Sequence, residues 1–172
     1  MNWQPEKTFR AHYNFLIGVS GVLLGPQWKG NNMPEFDVIQ VGEGATLRHT
    51  ITERDVEGYA KITGDINPLH MDLKYAEQTK FGRRVVHGML VASFISTLVG
   101  TIFPGKGALY LGQEIKFRKP VFIGDIIQVE VQVTRKSETS KILEMKTTIT
   151  NQLSEKVITG KARVTWARQG ED

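Results

Sequence analysis

Apolar and polar residues alternate from Ile126 to Thr134 (Ile-Ile-Gln-Val-Glu-Val-Gln-Val-Thr), the period of a strand with one wet face. Ala108–Arg118 starts apolar and ends in the same alternation. Lys141–Asn151 and Val157–Trp166 read as two more strands, and Thr46–Ile51 as a looser one. The links are short: Pro120–Asp125, Arg135–Ser140, and a turn through Gln152, Ser154 and Glu155. Such links predict an antiparallel meander. A helical pattern occupies the space between. Thr52 with Asp55 three residues on reads as a helix start, Val56, Tyr59, Ala60 and Ile62 give it one apolar face, and Gly64 ends it. Asp72 caps a short helix to Gln78, and Lys80–Arg84 is a turn. Val85–Phe103 carries no Lys, Arg, Asp or Glu, so it reads as a helix buried on every side. Its Ser93, Ser96, Thr97 and Thr101 favour a protein core over a bilayer. A sheet that follows such a helix buries it by curling around it, which predicts an α+β fold.

Residues 1–33 differ from this pattern. They hold Trp3 and Trp28 and an apolar run, Phe15–Gly25, shorter than the ~20 residues a bilayer requires. Lys7 and Arg10 precede the run, but so does Glu6, and no small-x-small cleavage site follows. We read 1–33 as an N-terminal extension or leader and 34–172 as a single domain, with no stable membrane span. The absence of cysteine excludes disulfides and thiolate metal sites. His12, His49, His70 and His87 show no His-x-x-x-His spacing, so no metal and no cofactor are expected. The net charge of +4 is spread along the chain without a basic run, which argues against nucleic acid and suits a small anionic ligand such as a phosphate-bearing carrier.

The candidate chemistry lies where the first helix ends, at Thr63-Gly-Asp-Ile-Asn-Pro-Leu-His70. Gly64 and Pro68 break the helix, and Asn67 before a proline is pushed toward extended geometry. In the resulting loop Asp65 and His70 turn toward a common point, as a general acid–base pair would. Asp-x-Asn-Pro is also ordinary turn chemistry. Gly88, at the entrance to the apolar helix, lets a ligand approach the helix's unpaired N–H groups, the geometry of an oxyanion hole. Equally, Gly88 serves as a plain turn residue and His87 as a satisfied buried histidine. Together, the pair, the accessible N–H and an apolar wall suit proton chemistry beside a thioester carbonyl.

These residues, with Phe81-Gly-Arg-Arg-Val-Val-His-Gly-Met89, Tyr110-Leu-Gly-Gln-Glu-Ile-Lys-Phe117 and Pro120-Val-Phe-Ile-Gly-Asp125, resemble the MaoC-like, (R)-specific enoyl-CoA hydratase (hydratase 2) family over residues 36–167. The resemblance implies a hot-dog fold, a long central helix wrapped by a curved antiparallel sheet, in a homodimer. It implies a lyase of fatty-acid metabolism that reversibly adds water to trans-2-enoyl thioesters of coenzyme A or acyl-carrier protein, giving (R)-3-hydroxyacyl thioesters. Asp65 and His70 match the catalytic pair, Gly88 the residue whose N–H holds the thioester oxygen, and Asn67 a supporting residue. The expected compartment is the cytoplasm, or an organellar matrix in a eukaryote. On the central helix, Leu98, Val99 and Ile102 are candidates for the acyl pocket. Arg83, Arg84, Lys116, Arg118 and Lys119 are candidates for the carrier's phosphates, although each reads first as a solvated surface charge. Two alternatives stand beside this reading. One is a hot-dog acyl-CoA thioesterase, disfavoured because the apolar helix offers no carboxylate. The other is a non-catalytic acyl-thioester-binding subunit, which would need no intact Asp65 and His70.

Overall fold

The computed structural model describes residues 36–166; the expected extension, 1–33, lies outside them. Five antiparallel strands form one sheet: β1 (Gly44–Thr50), β2 (Ala108–Phe117), β3 (Ile126–Ser137), β4 (Ile142–Thr150) and β5 (Lys156–Trp166). Four helices precede β2: α1 (Glu53–Thr63), α2 (Pro68–Met71), α3 (Leu73–Glu77) and α4 (Gly88–Thr101). The layout is the expected α+β one, with α4 lying against the sheet.

The strand order is β1-β3-β4-β5-β2. Only β3, β4 and β5 form the meander that the short links predict. β2 pairs with β5, not with the β3 that follows it, and β1 closes the other edge on β3. The segment 118–125, which reads as a tight turn, is a crossing. Arg118 N–H donates to Val157 O and Val86 N–H to Val121 O, so the crossing joins the far edge of the sheet to the start of α4.

Alternation puts Val129, Val131 and Val133 of β3, Leu143, Met145 and Ile149 of β4, and Ala162 and Val164 of β5 on one buried face. Leu90, Val91, Ile95, Leu98 and Val99 of α4 pack into the same cluster. At 25 cal/mol per Å², burying each of these valine, leucine, isoleucine and methionine side chains stabilises the fold by about 1.5–3 kcal/mol.

Two expectations about α4 need correction. Its helix starts at Gly88, because Val85 bridges to Phe122 and Val86 bonds to the crossing segment, which holds both extended. Nor is it buried on every side. The sheet covers one face, and Met89, Ser93, Ser96, Thr97 and Gly100 are exposed on the other. Among the described residues, no helix is long and apolar enough to cross a membrane.

Candidate active site

The site begins with the end of α1. Thr52 caps that helix, accepting from Asp55 N–H at 3.2 Å, while the Asp55 carboxylate accepts from Thr52 N–H at 2.8 Å and from the His49 ring at 2.9 Å. Burial pushes the Asp55 carboxyl up, but the bonds from His49 and Thr52 outweigh it and hold the group below its ordinary 3.8. At the other end Gly64 takes a left-handed conformation, φ 75°, and its N–H closes on Ala60 O at 2.8 Å. That turn delivers Asp65.

The next residues are not the plain loop the proline suggests. Pro68 stands at the first position of the one-turn helix α2, where its missing N–H costs nothing. Asn67 is the cap of α2: its side-chain oxygen accepts from Leu69 N–H at 2.9 Å, and its own N–H donates to Asp65 Oδ1 at 3.3 Å. Asn67 therefore links the Asp65 carboxylate to the turn that carries His70. His70 Nδ1 lies 2.6 Å from Val85 O. A carbonyl only accepts, so Nδ1 carries the proton and the neutral ring keeps its lone pair on Nε2.

Gly88 opens α4, and the His87 side chain makes no capping bond to the helix start. A side chain on Gly88 would collide with Phe117, a built Cβ lying 2.7 Å from the ring's Cε1. Close packing explains the glycine. The first N–H groups of α4 have no partner within the helix, and Gly88 lines the same cavity as Asp65 and His70. Asp65, His70 and His87 each bring a possible ligand atom within 4.8 Å of the others. They form the one such trio found among the described residues. One carboxylate and two imidazoles are thus gathered from positions that short-spacing criteria do not reveal.

A cavity of about 560 Å³ opens onto this trio. Val91, Phe117, Val121 and Ile158 give it apolar walls, and Lys80, Arg118 and Lys119 give it positive charge. Leu98, Val99 and Ile102 do not line it. They sit at the far end of α4, with Ile102 as its C-cap, roughly 15–21 Å along the axis from Gly88 at 1.5 Å per residue. Leu98 and Val99 are wholly enclosed in the core, and Ile102 packs against it. Of the basic candidates, Arg118 and Lys119 reach the cavity wall, while Arg83, Arg84 and Lys116 do not. Arg84 pairs with Glu53, and Arg83 lies 3.6 Å over the Phe122 ring. Sequence reading missed Lys80, Phe117 and the engagement of His87. Only topology reveals them, since Phe117 comes from the edge strand and His87 approaches Asp65 from 22 residues away.

A central helix against an antiparallel sheet is the hot-dog layout, and here an acid–imidazole pair stands at the helix entrance beside a mainly apolar cavity edged by Lys80, Arg118 and Lys119. The family match agrees: a MaoC like domain model covers residues 39–155, and the chain belongs to that family. The (R)-specific enoyl-CoA hydratase of Aeromonas caviae is 42% identical over 126 residues, 73% of this chain and 94% of that protein. The unliganded structure of the R-hydratase PhaJ1 from Pseudomonas aeruginosa superposes with a TM-score of 0.75 at 37% identity, covering 80% of this chain and 88% of that one. A mitochondrial 3-hydroxyacyl-[acyl-carrier-protein] dehydratase of Arabidopsis thaliana is 38% identical over 102 residues, 59% of this chain and 60% of that protein.

Proposed function

We infer that the chain is an (R)-specific enoyl-CoA hydratase, a hydro-lyase that adds water across the double bond of trans-2-enoyl thioesters. The observation that carries this reading is the meeting of Asp65, His70 and the Gly88 end of α4 at one cavity. A water held between the Asp65 carboxylate and His70 Nε2 has its oxygen free to attack Cβ. His70 accepts the water proton on Nε2 because Val85 holds the other ring nitrogen. As the C–O bond forms, charge moves to the thioester oxygen, where the Gly88 N–H receives it. The imidazolium then returns a proton to Cα on the face that took the hydroxyl. Asp65 orients the water and stabilises the imidazolium, and Asn67 holds Asp65.

The acyl chain lies along Val91, Val121 and Ile158, and the carrier's phosphates meet Lys80, Arg118 and Lys119 at the mouth. Lys119 is also paired with Glu155, which leaves Lys80 and Arg118 as the stronger anion contacts. Both coenzyme A and acyl-carrier protein present a phosphate there. The reaction belongs where those carriers are, in the cytoplasm or an organellar matrix. The working unit is a homodimer. The edge strand β2, with exposed Leu109 and Leu111, and the uncovered face of α4 are the surfaces a second copy would bury. The thioesterase alternative finds no support on α4, which has no carboxylate to direct water at the carbonyl.

The test is the rate of crotonyl-CoA hydration, followed by loss of the enoyl absorbance, in wild type, Asp65→Asn and His70→Gln. General acid–base groups contribute about 10²–10⁴-fold, so each folded variant should lose that much in kcat. Wild-type rates in both variants would remove them from the chemistry.

A further inference from the structure

The mechanism leaves one buried polar side chain in the site without a task. His87 is 1% exposed and lies between the rings of Tyr59, centroids 5.0 Å apart, and His70, centroids 4.0 Å apart. Its Nε2 is 2.9 Å from the backbone carbonyl of Asp65, which only accepts, so Nε2 carries the proton. Its Nδ1 is buried without a hydrogen-bond partner. Buried polar groups are rarely left so, and a leucine or methionine would fill the same space without that cost. The imidazole's hydrogen bond must therefore offset the cost of its unpaired nitrogen.

We propose that His87 is a positioning residue that sets the distance between the acid–base pair and the oxyanion donor. Its backbone immediately precedes Gly88, and its side chain holds the backbone of Asp65. One residue thus ties the two halves of the site, which come from segments 22 positions apart and share no strand. Its ring also forms a wall behind the His70 imidazole. The two histidines, their rings tilted 40° to each other, hold opposite tautomers, each fixed by a backbone carbonyl: Nδ1–H in His70, by Val85, and Nε2–H in His87, by Asp65. His87 touches no reacting atom. This inference rests on the hydratase reading, since a binding subunit would have no such distance to keep.

The bond geometry selects the test. Glutamine places its amide nitrogen where Nε2 stands and keeps the tie, whereas asparagine places it at the Nδ1 position and cannot reach. In His87→Asn, kcat should fall about 10²-fold, the usual consequence of a displacement near 1 Å, with KM little changed. His87→Gln should recover most of that loss, and thermal melts establish that both variants fold. NMR of the ¹⁵N-histidine-labelled wild-type chain should show the Nε2–H tautomer at His87 and Nδ1–H at His70. A folded His87→Asn with wild-type kcat, equal losses in Asn and Gln variants, or an Nδ1–H tautomer at His87 would overturn the proposal. Failure of the wild-type chain to hydrate any enoyl thioester would count instead against the reaction. The tautomers test the tie without turnover.

Discussion

Replacing Gly88 by alanine adds one methyl group where the carbonyl oxygen should be received. The built Cβ lies 2.7 Å from Phe117 Cε1 and 3.1 Å from Cδ1 and Cζ, inside the 3.4–4 Å of ordinary contact. The ring must retreat by roughly 0.7 Å or more to restore van der Waals spacing. Phe117 is 55% exposed on an edge strand, so it turns outward without disturbing the core. Overpacking of a yielding side chain costs about 1 kcal/mol. Alanine recovers up to about 1 kcal/mol through its better helix propensity. Stability should therefore change by less than about 1 kcal/mol. Activity should not be spared, because the methyl and the displaced ring occupy the approach to the N–H. A carbonyl held ~1 Å out of place loses about 10²-fold, or ~2.7 kcal/mol of barrier, at the lower edge of what loss of an oxyanion donor costs. The assay pairs urea unfolding with kcat/KM for crotonyl-CoA. Two other glycines calibrate it. Gly58→Ala, on α1, meets nothing within 4 Å and should leave activity unchanged, whereas Gly160→Ala drives its Cβ into the Glu114 carbonyl and should loosen β2. Full activity in a folded Gly88→Ala would refute the placement of the carbonyl at this N–H.

The core and the first helix give two further expectations. Leu98→Ala should cost about 2–5 kcal/mol by urea unfolding, as a fully enclosed leucine does, and leave the acyl chain-length preference unchanged. A shifted preference at unchanged stability would return Leu98 to the pocket. Asp55 has a folded pKa below its ordinary 3.8, so its contribution to stability is complete above that value and is lost as pH falls through the lower folded value. The stability difference between wild type and Asp55→Asn should therefore shrink below pH 3.8; a constant difference down to the acid limit would contradict the pairing.

Much of this was legible in the chain because local chemistry carried it. Thr52 with Asp55, Gly64, and Asp72 with its following turn mark helix ends, since capping depends on residues three or four apart. The strands were legible because period-two alternation survives wherever one face is wet. The strand order was not, because a short link such as 118–125 looks the same whether it turns back or crosses. The onset of α4 was hidden for a related reason: Val85 and Val86 are as apolar as the helix, and only their bonds to Phe122 and Val121 hold them extended. Asp65, His70 and Gly88 could be picked out by motif. Their convergence, and the parts of Lys80, Phe117 and His87 in the cavity, needed the fold. Leu98, Val99 and Ile102 were misplaced because apolarity marks burial without saying which end of a helix meets the ligand.

The most direct test of the central claim is to incubate the wild-type chain with crotonyl-CoA and resolve the configuration of the 3-hydroxybutyryl-CoA formed. The account expects hydration with the (R) product throughout. The (S) product would contradict the facial arrangement of Asp65, His70 and Gly88, and release of free coenzyme A without hydration would point to a thioesterase.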